Sequence, residues 1–313
     1  MKTILITGIH GFVGTNLTKK LHQGNTIYGL DIITPQKNGV CKTYTWEELD
    51  IIPPVDVVIH LAGKAHDTKN KSEAQVYFDI NTELTKKIFD WFLTSDAKKF
   101  IFFSTVKAAA DIVEEDILTE DVVPKPKGPY GESKLAAESY INSQLSTLNP
   151  QLKTAHIFRP AMIHGPGNKG NLNLLYSVVK KGIPYPLGTF KNKRSFTSID
   201  NLSFVIEQLL EKNDIPSGIY NIADDETLST NELISLMATT LNKKERIWNW
   251  SPALIKAFAK LGTFIHLPLN TERLQKLTEN YVVSNKKIKS VLNIEQMPIS
   301  AKEGIIRTIN SFE

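Results

Sequence analysis

The chain has a single cysteine, Cys41, in 313 residues, so no intrachain disulfide can form and no thiolate metal cluster can be built. Nor is there an apolar run approaching the ~20 residues that a membrane-spanning helix needs. The first apolar run, Ile4-Leu5-Ile6, follows Met1-Lys2-Thr3 directly and is far too short for the apolar core of a secretory leader. These absences predict a cytoplasmic protein without membrane insertion. A dominant charge is missing too: 37 Lys and Arg against 33 Asp and Glu leave a formal net charge of +4. That excess favours the approach of an anionic metabolite but is no nucleic-acid footprint. The lysines at Lys125/Lys127 and Lys286/Lys287/Lys289 have no interleaved aromatics and read as solvated surface. His10, His60 and His164 lack metal-ligand spacing, and no metal site is expected.

What is present is an alternation of strand-like and helix-like segments, which argues for βαβ units and a parallel sheet. Strands are predicted at Thr3 to Thr7, Thr26 to Leu30, Val55 to Leu61, Lys99 to Ser104 and Thr154 to Phe158. The run Asp56-Val57-Val58-Ile59-His60-Leu61 is apolar without alternation, as a strand covered on both faces should be. Helical spacing of Leu84, Ile88, Trp91 and Phe92 predicts a helix over Glu83 to Leu93, and another is expected over residues 130–148. After Gly165 the density of Gly and Pro predicts loops and short elements as far as Gly188. Helical patterns return at 201–210, 230–241, 252–261 and 284–292. The expected division is a nucleotide-binding domain over 1–165 and a mainly substrate-binding domain over 166–313, with elements near 192–215 returning to the first.

The first predicted strand runs into Thr7-Gly8-Ile9-His10-Gly11-Phe12-Val13-Gly14 and then into a helical pattern. Glycines in such a turn let the backbone approach a pyrophosphate, whose charge meets the positive end of the following helix. Asp31 ends the second strand, 17 residues after Gly14. A carboxylate there can accept hydrogen bonds from ribose hydroxyls and repels a 2′-phosphate, favouring NAD over NADP. With Thr-Gly-x-x-Gly-x-x-Gly in this position, the chain resembles the extended short-chain dehydrogenase/reductase family. The resemblance covers most of the chain and implies a Rossmann-like, doubly wound α/β sheet with a smaller C-terminal substrate domain.

Further matches follow. His60-Leu61-Ala62-Gly63 resembles the family's segment beside the cofactor. Tyr130 and Lys134, four apart at the start of a helix, share one face with Cβ atoms ~5–6 Å apart. A free tyrosine has a pKa near 10, so a phenolate at neutrality requires that value to fall by about three, a differential stabilisation of about 4 kcal/mol. The Lys134 ammonium and a nicotinamide ring are expected to supply it by charge attraction, making Tyr130 a general base or acid. Ser104-Thr105 closes the preceding strand, and in the family that strand-end hydroxyl bonds the reacting substrate oxygen. Family dehydratases carry Asp-Glu after this Thr; Val106-Lys107 stands here, which disfavours 4,6-dehydration. Arg159-Pro160 resembles the segment beside the nicotinamide, and His164 a loop replacement for Tyr in Tyr-Gly-Pro-Gly.

The resemblance therefore implies Thr105, Tyr130 and Lys134 as catalytic residues. It implies Gly8, His10, Gly11, Phe12, Val13, Gly14, Asp31, Leu61, Ala62, Gly63, Ser104, Tyr130, Lys134 and Arg159 as NAD contacts. Thr105, Lys107, Asn171, Arg194 and Arg273 are the implied contacts to a UDP-sugar, Arg194 holding the diphosphate. The family's dimer helices correspond to residues 72–94 and 130–148, so a homodimer is expected. Three functions stay open: 4-epimerisation of a UDP-hexosamine, reduction of a UDP-4-keto-6-deoxy-hexosamine, and non-catalytic dinucleotide sensing, against which the presence of both Tyr130 and Lys134 counts.

Overall fold

The computed structural model describes residues 1–65, 73–145, 149, 152–264 and 270–312, apart from the side chains of Glu272, Arg273 and Lys276. Seven strands form one sheet: β1 (Thr3–Thr7), β2 (Thr26–Leu30), β3 (Lys42–Tyr44), β4 (Val57–His60), β5 (Lys99–Phe103), β6 (Thr154–Pro160) and β9 (Gly218–Ile222). Their order is β3-β2-β1-β4-β5-β6-β9, and every neighbouring pair is parallel. The order reverses between β1 and β4, which opens a crevice at the carboxyl ends of those strands, the ligand position of a Rossmann sheet. A separate parallel pair joins β7 (Met162–His164) to β8 (Phe196–Ser198).

The helices are α1 (Phe12–Leu21), α2 (Ala74–Phe78), α3 (Leu84–Thr94), α4 (Val106–Ala109), α5 (Pro129–Leu145) and α6 (Asn171–Lys180), followed by α7 (Ile199–Glu211), α8 (Thr230–Thr240), α9 (Pro252–Phe264), α10 (Thr271–Thr278), α11 (Lys286–Leu292) and α12 (Ala301–Asn310). A π-turn, Asp79–Glu83, joins α2 to α3.

Parallel strands need crossover helices on both faces, and β5 shows how the sequence supplies them. Its five residues, Lys-Phe-Ile-Phe-Phe, are all buried. Ile101 and Phe103 enter the core shared with Leu17 of α1, Leu202 and Ile206 of α7, and Ile288 and Leu292 of α11. Phe100 and Phe102 enter the opposite core with Ile88, Phe89 and Phe92 of α3 and Ala137 and Ile141 of α5. Each such fully buried side chain contributes about 1.5–3 kcal/mol relative to exposure.

A third core gathers Leu172 and Tyr176 of α6, Leu233 and Met237 of α8, Ile255 of α9 and Ile305 of α12. The helix α6 falls where Gly/Pro density predicts loops; Leu172, Tyr176 and Val179 recur at helical spacing and are its buried face. Second-half segments return to the main sheet through α7, β9 and α11. The chain continues past residues 284–292 into α12, which packs on α8. The ends of the two expected dimer helices, residue 72 and residues 146–148, lie outside the described residues.

Candidate active site

At the end of β1 the chain turns at Gly8, whose φ is 65° and where a Cβ would lie 2.8 Å from the backbone nitrogen of Ala62. At Gly14 a Cβ would lie 2.6 Å from the Gly8 carbonyl oxygen. Backbones therefore meet with no room for side chains, which places the turn against Leu61 and Ala62 and α1 against the turn. Gly11, at the N-cap of α1, offers no capping side chain, so the helix's positive end is available to an anion. Asp31 Oδ2 accepts the His10 amide at 3.0 Å and Oδ1 the Ile32 amide at 2.8 Å, so the expected ribose ligand also braces the glycine loop. His10 Nε2 is buried without a hydrogen-bond partner among the described residues, and desolvation lowers this imidazole's pKa. An orphaned neutral nitrogen beside a glycine cradle fits a bound dinucleotide.

Behind the loop, Thr7 Oγ1 accepts the Leu61 and Ala62 amides at 3.1 and 2.9 Å and lies 2.7 Å from His60 Nδ1. His60 Nε2 lies 2.9 Å from Thr85 Oγ1, which donates to the Asn81 carbonyl at 2.7 Å. Burial, then the Lys134 charge, holds His60 well below its ordinary pKa. With Thr7 donating to Nδ1, the neutral Nε2–H tautomer satisfies the chain. Asn81, in the π-turn, accepts the Lys64 amide at 2.7 Å and donates to Ser133 Oγ at 3.0 Å, so the Lys64 segment is pinned to α5.

On the other side of the crevice, Thr105 caps α4 by accepting the Lys107 amide at 3.2 Å, and its hydroxyl hydrogen-bonds the Tyr130 phenol. Lys134 is 5% exposed; its Nζ donates to the Phe103 carbonyl at 2.8 Å and sits 4.8 Å from the Phe102 ring centre. Burial lowers its pKa to about 8, against the pull of Glu138. A Cβ on Gly63 would come within 3.0 Å of Lys134 Nζ, so the His60-Leu61-Ala62-Gly63 segment reaches this lysine. The fold thus brings together Thr105, Tyr130, Lys134 and Gly63. Desolvation raises the Tyr130 pKa, only partly offset by the Thr105 bond. Lys134 directs its ammonium to the Phe103 carbonyl, so the positive ring of a nicotinamide held in the crevice would be the charge that favours the Tyr130 phenolate.

Ser104 and Arg159 have a different setting. Ser104 Oγ hydrogen-bonds the Glu138 carboxylate, which also takes Arg159 Nη2 at 2.6 Å and Nε at 3.0 Å. Glu138 and Arg159 are each 1% exposed. Their side chains form a brace between the ends of β5 and β6 and α5. Glu138 is not among the residues the sequence singles out; its signal is its place four residues after Lys134 on the same face of α5.

Lys107 Nζ donates to the Asp111 carbonyl at 2.6 Å and its carboxylate at 3.2 Å, and lies 4.5 Å from the Tyr281 ring centre. Tyr281 donates to the Ala110 carbonyl at 2.7 Å, and its backbone bridges Arg194. Desolvation lowers the Arg194 pKa, opposed by Glu279 and Tyr281. Arg194, Tyr281 and Lys107 therefore lie along one path from the C-terminal half to the loop bearing Thr105. Asn171 is exposed at the first position of α6. Arg273 lies on α10, its side chain outside the described residues. His164 is fully buried at the end of β7, 2.8 Å from Thr308 Oγ1 and 3.5 Å from Asp224 Oδ2, an interior residue rather than part of a loop. Among the described residues no His/Cys/Asp/Glu group is arranged to hold a metal, and no helix is long and apolar enough to cross a membrane.

The model of the NAD dependent epimerase/dehydratase family matches residues 4–223. The chain belongs to this family. The UDP-glucose 4-epimerase of Vibrio cholerae is 32% identical over 256 residues, 77% of this chain and 76% of that protein. The N-acetyl-alpha-D-glucosaminyl-diphospho-ditrans,octacis-undecaprenol 4-epimerase of Escherichia coli O157:H7 is 26% identical over 246 residues, 77% and 73% of the two chains. The structure of MoeE5 in complex with UDP-glucose and NAD superposes with a TM-score of 0.77 at 19% identity, covering 99% of this chain and 98% of that one. This family member is an NAD-dependent enzyme of the nucleotide-sugar epimerase/dehydratase type on a Rossmann fold.

Proposed function

We propose that the enzyme epimerises a UDP-(N-acetyl)hexosamine at C4 through a 4-keto intermediate. The observation that carries this reading is the Thr105–Tyr130 hydrogen bond at the mouth of β5, with Lys134 one helical turn further along α5. A sugar hydroxyl placed between the two oxygens is bonded by both, and Tyr130 takes its proton as the C4 hydride leaves. Gly8, Gly11, Gly14 and Asp31 would hold NAD, which would supply the acceptor and later the donor of that hydride. Tyr130 gives the proton back after the keto sugar has presented its other face. Elimination of water would need a second acid–base pair; Val106 has no proton to move, and the Lys107 amine is bound to Asp111. Arg194 holds the diphosphate, its planar guanidinium suited to two parallel hydrogen bonds. We place a homodimer contact on α3 and α5, where Leu84, Trp91 and Tyr140 are only partly covered.

Proton NMR of UDP-N-acetylglucosamine with purified protein and no added cofactor tests the reading, with UDP-glucose in parallel. Appearance of the C4 epimer of the first establishes both reaction and sugar. Turnover of UDP-glucose alone moves the sugar assignment. Turnover of neither, with consumption of NADH on a UDP-4-keto-6-deoxy-hexosamine, replaces epimerisation by reduction through the same residues.

A further inference from the structure

The helix α9 carries two apolar stripes, and only one is used. Ile255, Ala259 and Gly262 are its buried residues, while Leu254, Phe258 and Leu261, at i, i+4 and i+7, are 48–51% exposed. Before the helix, Trp248 and Trp250 are stacked with ring centres 6.3 Å apart, and the Phe258 ring is 6.4 Å from Trp250. Both tryptophans are more than two-fifths exposed although their backbone is fixed: the Trp248 amide donates to the Tyr185 carbonyl at 2.8 Å, and Thr189 Oγ1 to the Trp250 carbonyl at 2.6 Å. Single exposed apolar residues are ordinary, but a contiguous aromatic and aliphatic face on a fixed scaffold marks a contact surface.

The charges around it indicate what it contacts. Over residues 243–260 the exposed charged groups are Lys243, Lys244, Arg246, Lys256 and Lys260 against the single anion Glu245. A two-fold contact between copies of this face would set those cations against one another. Phenylalanine and leucine on one side of a lysine-bearing helix, with two tryptophans just before it, are the composition of a segment lying in a lipid–water interface.

We propose that this face docks the enzyme on an anionic membrane surface, with Trp248, Trp250, Leu254, Phe258 and Leu261 at headgroup depth and the cations against lipid phosphates. The docking is peripheral and does not depend on which sugar the active site takes.

The test is co-sedimentation of the full chain with vesicles of phosphatidylcholine alone and of equal parts phosphatidylcholine and phosphatidylglycerol, with tryptophan emission recorded on both. Binding to the anionic vesicles, weakened by salt and accompanied by a blue shift, is expected. Each lysine near the surface strengthens binding about fivefold, so Lys256→Glu with Lys260→Glu should weaken it by more than about 20-fold. Trp250→Ser with Phe258→Ser should abolish the blue shift and most of the binding. All four positions are solvent-exposed, and circular dichroism confirms that each variant is folded. Failure of the wild-type chain to bind either vesicle overturns the proposal, as does equal binding to both or binding unchanged in the charge-reversed variant. A wild-type oligomer that Trp250→Ser with Phe258→Ser splits, without vesicle binding, assigns the face to a second copy instead.

Discussion

Tyr130 sits in surroundings that oppose the charge the proposed mechanism asks it to carry: its desolvation favours the neutral phenol, and the nearby Tyr77 ring offers no cation. That neutrality suits the proposed cycle, in which Tyr130 gives its proton back at the end. Tyr130→Phe removes the proton carrier while leaving the glycine cradle untouched, so turnover should fall by about 10²–10⁴-fold with NAD still bound; steady-state rates and the absorbance of copurified cofactor measure the two separately. Full turnover would remove Tyr130 from the mechanism. Glu138 behaves differently because it is structural. It serves Ser104 and Arg159 inside the protein, so Glu138→Leu leaves an unpaired buried guanidinium and should cost about 3–5 kcal/mol in urea denaturation. The double variant with Arg159→Leu, which removes both charges, should recover much of that loss. No recovery would mean that the pair holds the fold through its geometry rather than its charge balance.

Among the elements, the glycine turn between β1 and α1 leaves the least freedom. A methyl group at Gly14 would meet the Gly8 carbonyl at 2.6 Å and Ile9 backbone atoms at 2.8 Å, and backbone cannot step aside as a side chain can. Gly14→Ala is therefore expected to push α1 off the turn and weaken NAD binding at least tenfold by calorimetry, whereas unchanged affinity would show that the turn relaxes. This element was legible in the sequence because its constraint is local: strand, glycines and helix follow one another. Tyr130 and Lys134 were legible for the same reason, being one turn apart on one helix. What escaped is long-range. The strand β9 is as long as β1, β2 and β5, but it lies too far along the chain to announce that it completes the sheet beside β6. In α6 the buried stripe of Leu172, Tyr176 and Val179 stands amid Gly and Pro that read as loop. Asn81 is an ordinary polar residue until the π-turn aims it at Ser133 and Lys64.

At the scale of the whole molecule, two lysines pass their amines into the protein at opposite ends of the sheet's middle. Lys99 opens β5, is 7% exposed, and donates to the carbonyls of Lys212 at 2.7 Å and of Leu209, tying the sheet to the end of α7. Lys134 lies beyond the other end of β5, on the carbonyl of Phe103. Burial lowers both to about 8. For a lysine depressed in this way, the unfolded chain holds the proton between pH 8 and the ordinary value near 10.4 while the folded chain has released it, so stability rises with pH across that window. At about 1.4 kcal/mol per pH unit, each lysine adds up to ~3 kcal/mol by pH 10. Tyr185 and Tyr220, raised to about 12 by burial, act in the opposite sense: above pH 10 the unfolded tyrosines ionise first and stability falls. Their contributions together give a maximum in stability near pH 10. Urea denaturation of the wild type and of Lys99→Met at pH 7, 8.5 and 10 isolates the lysine contribution, since the tyrosines are common to both. The difference between the two proteins should move in favour of the wild type by about 2 kcal/mol from pH 7 to 10; a difference that stays flat would mean that Lys99 keeps its proton in the folded protein, with the two carbonyls repaying its desolvation in full.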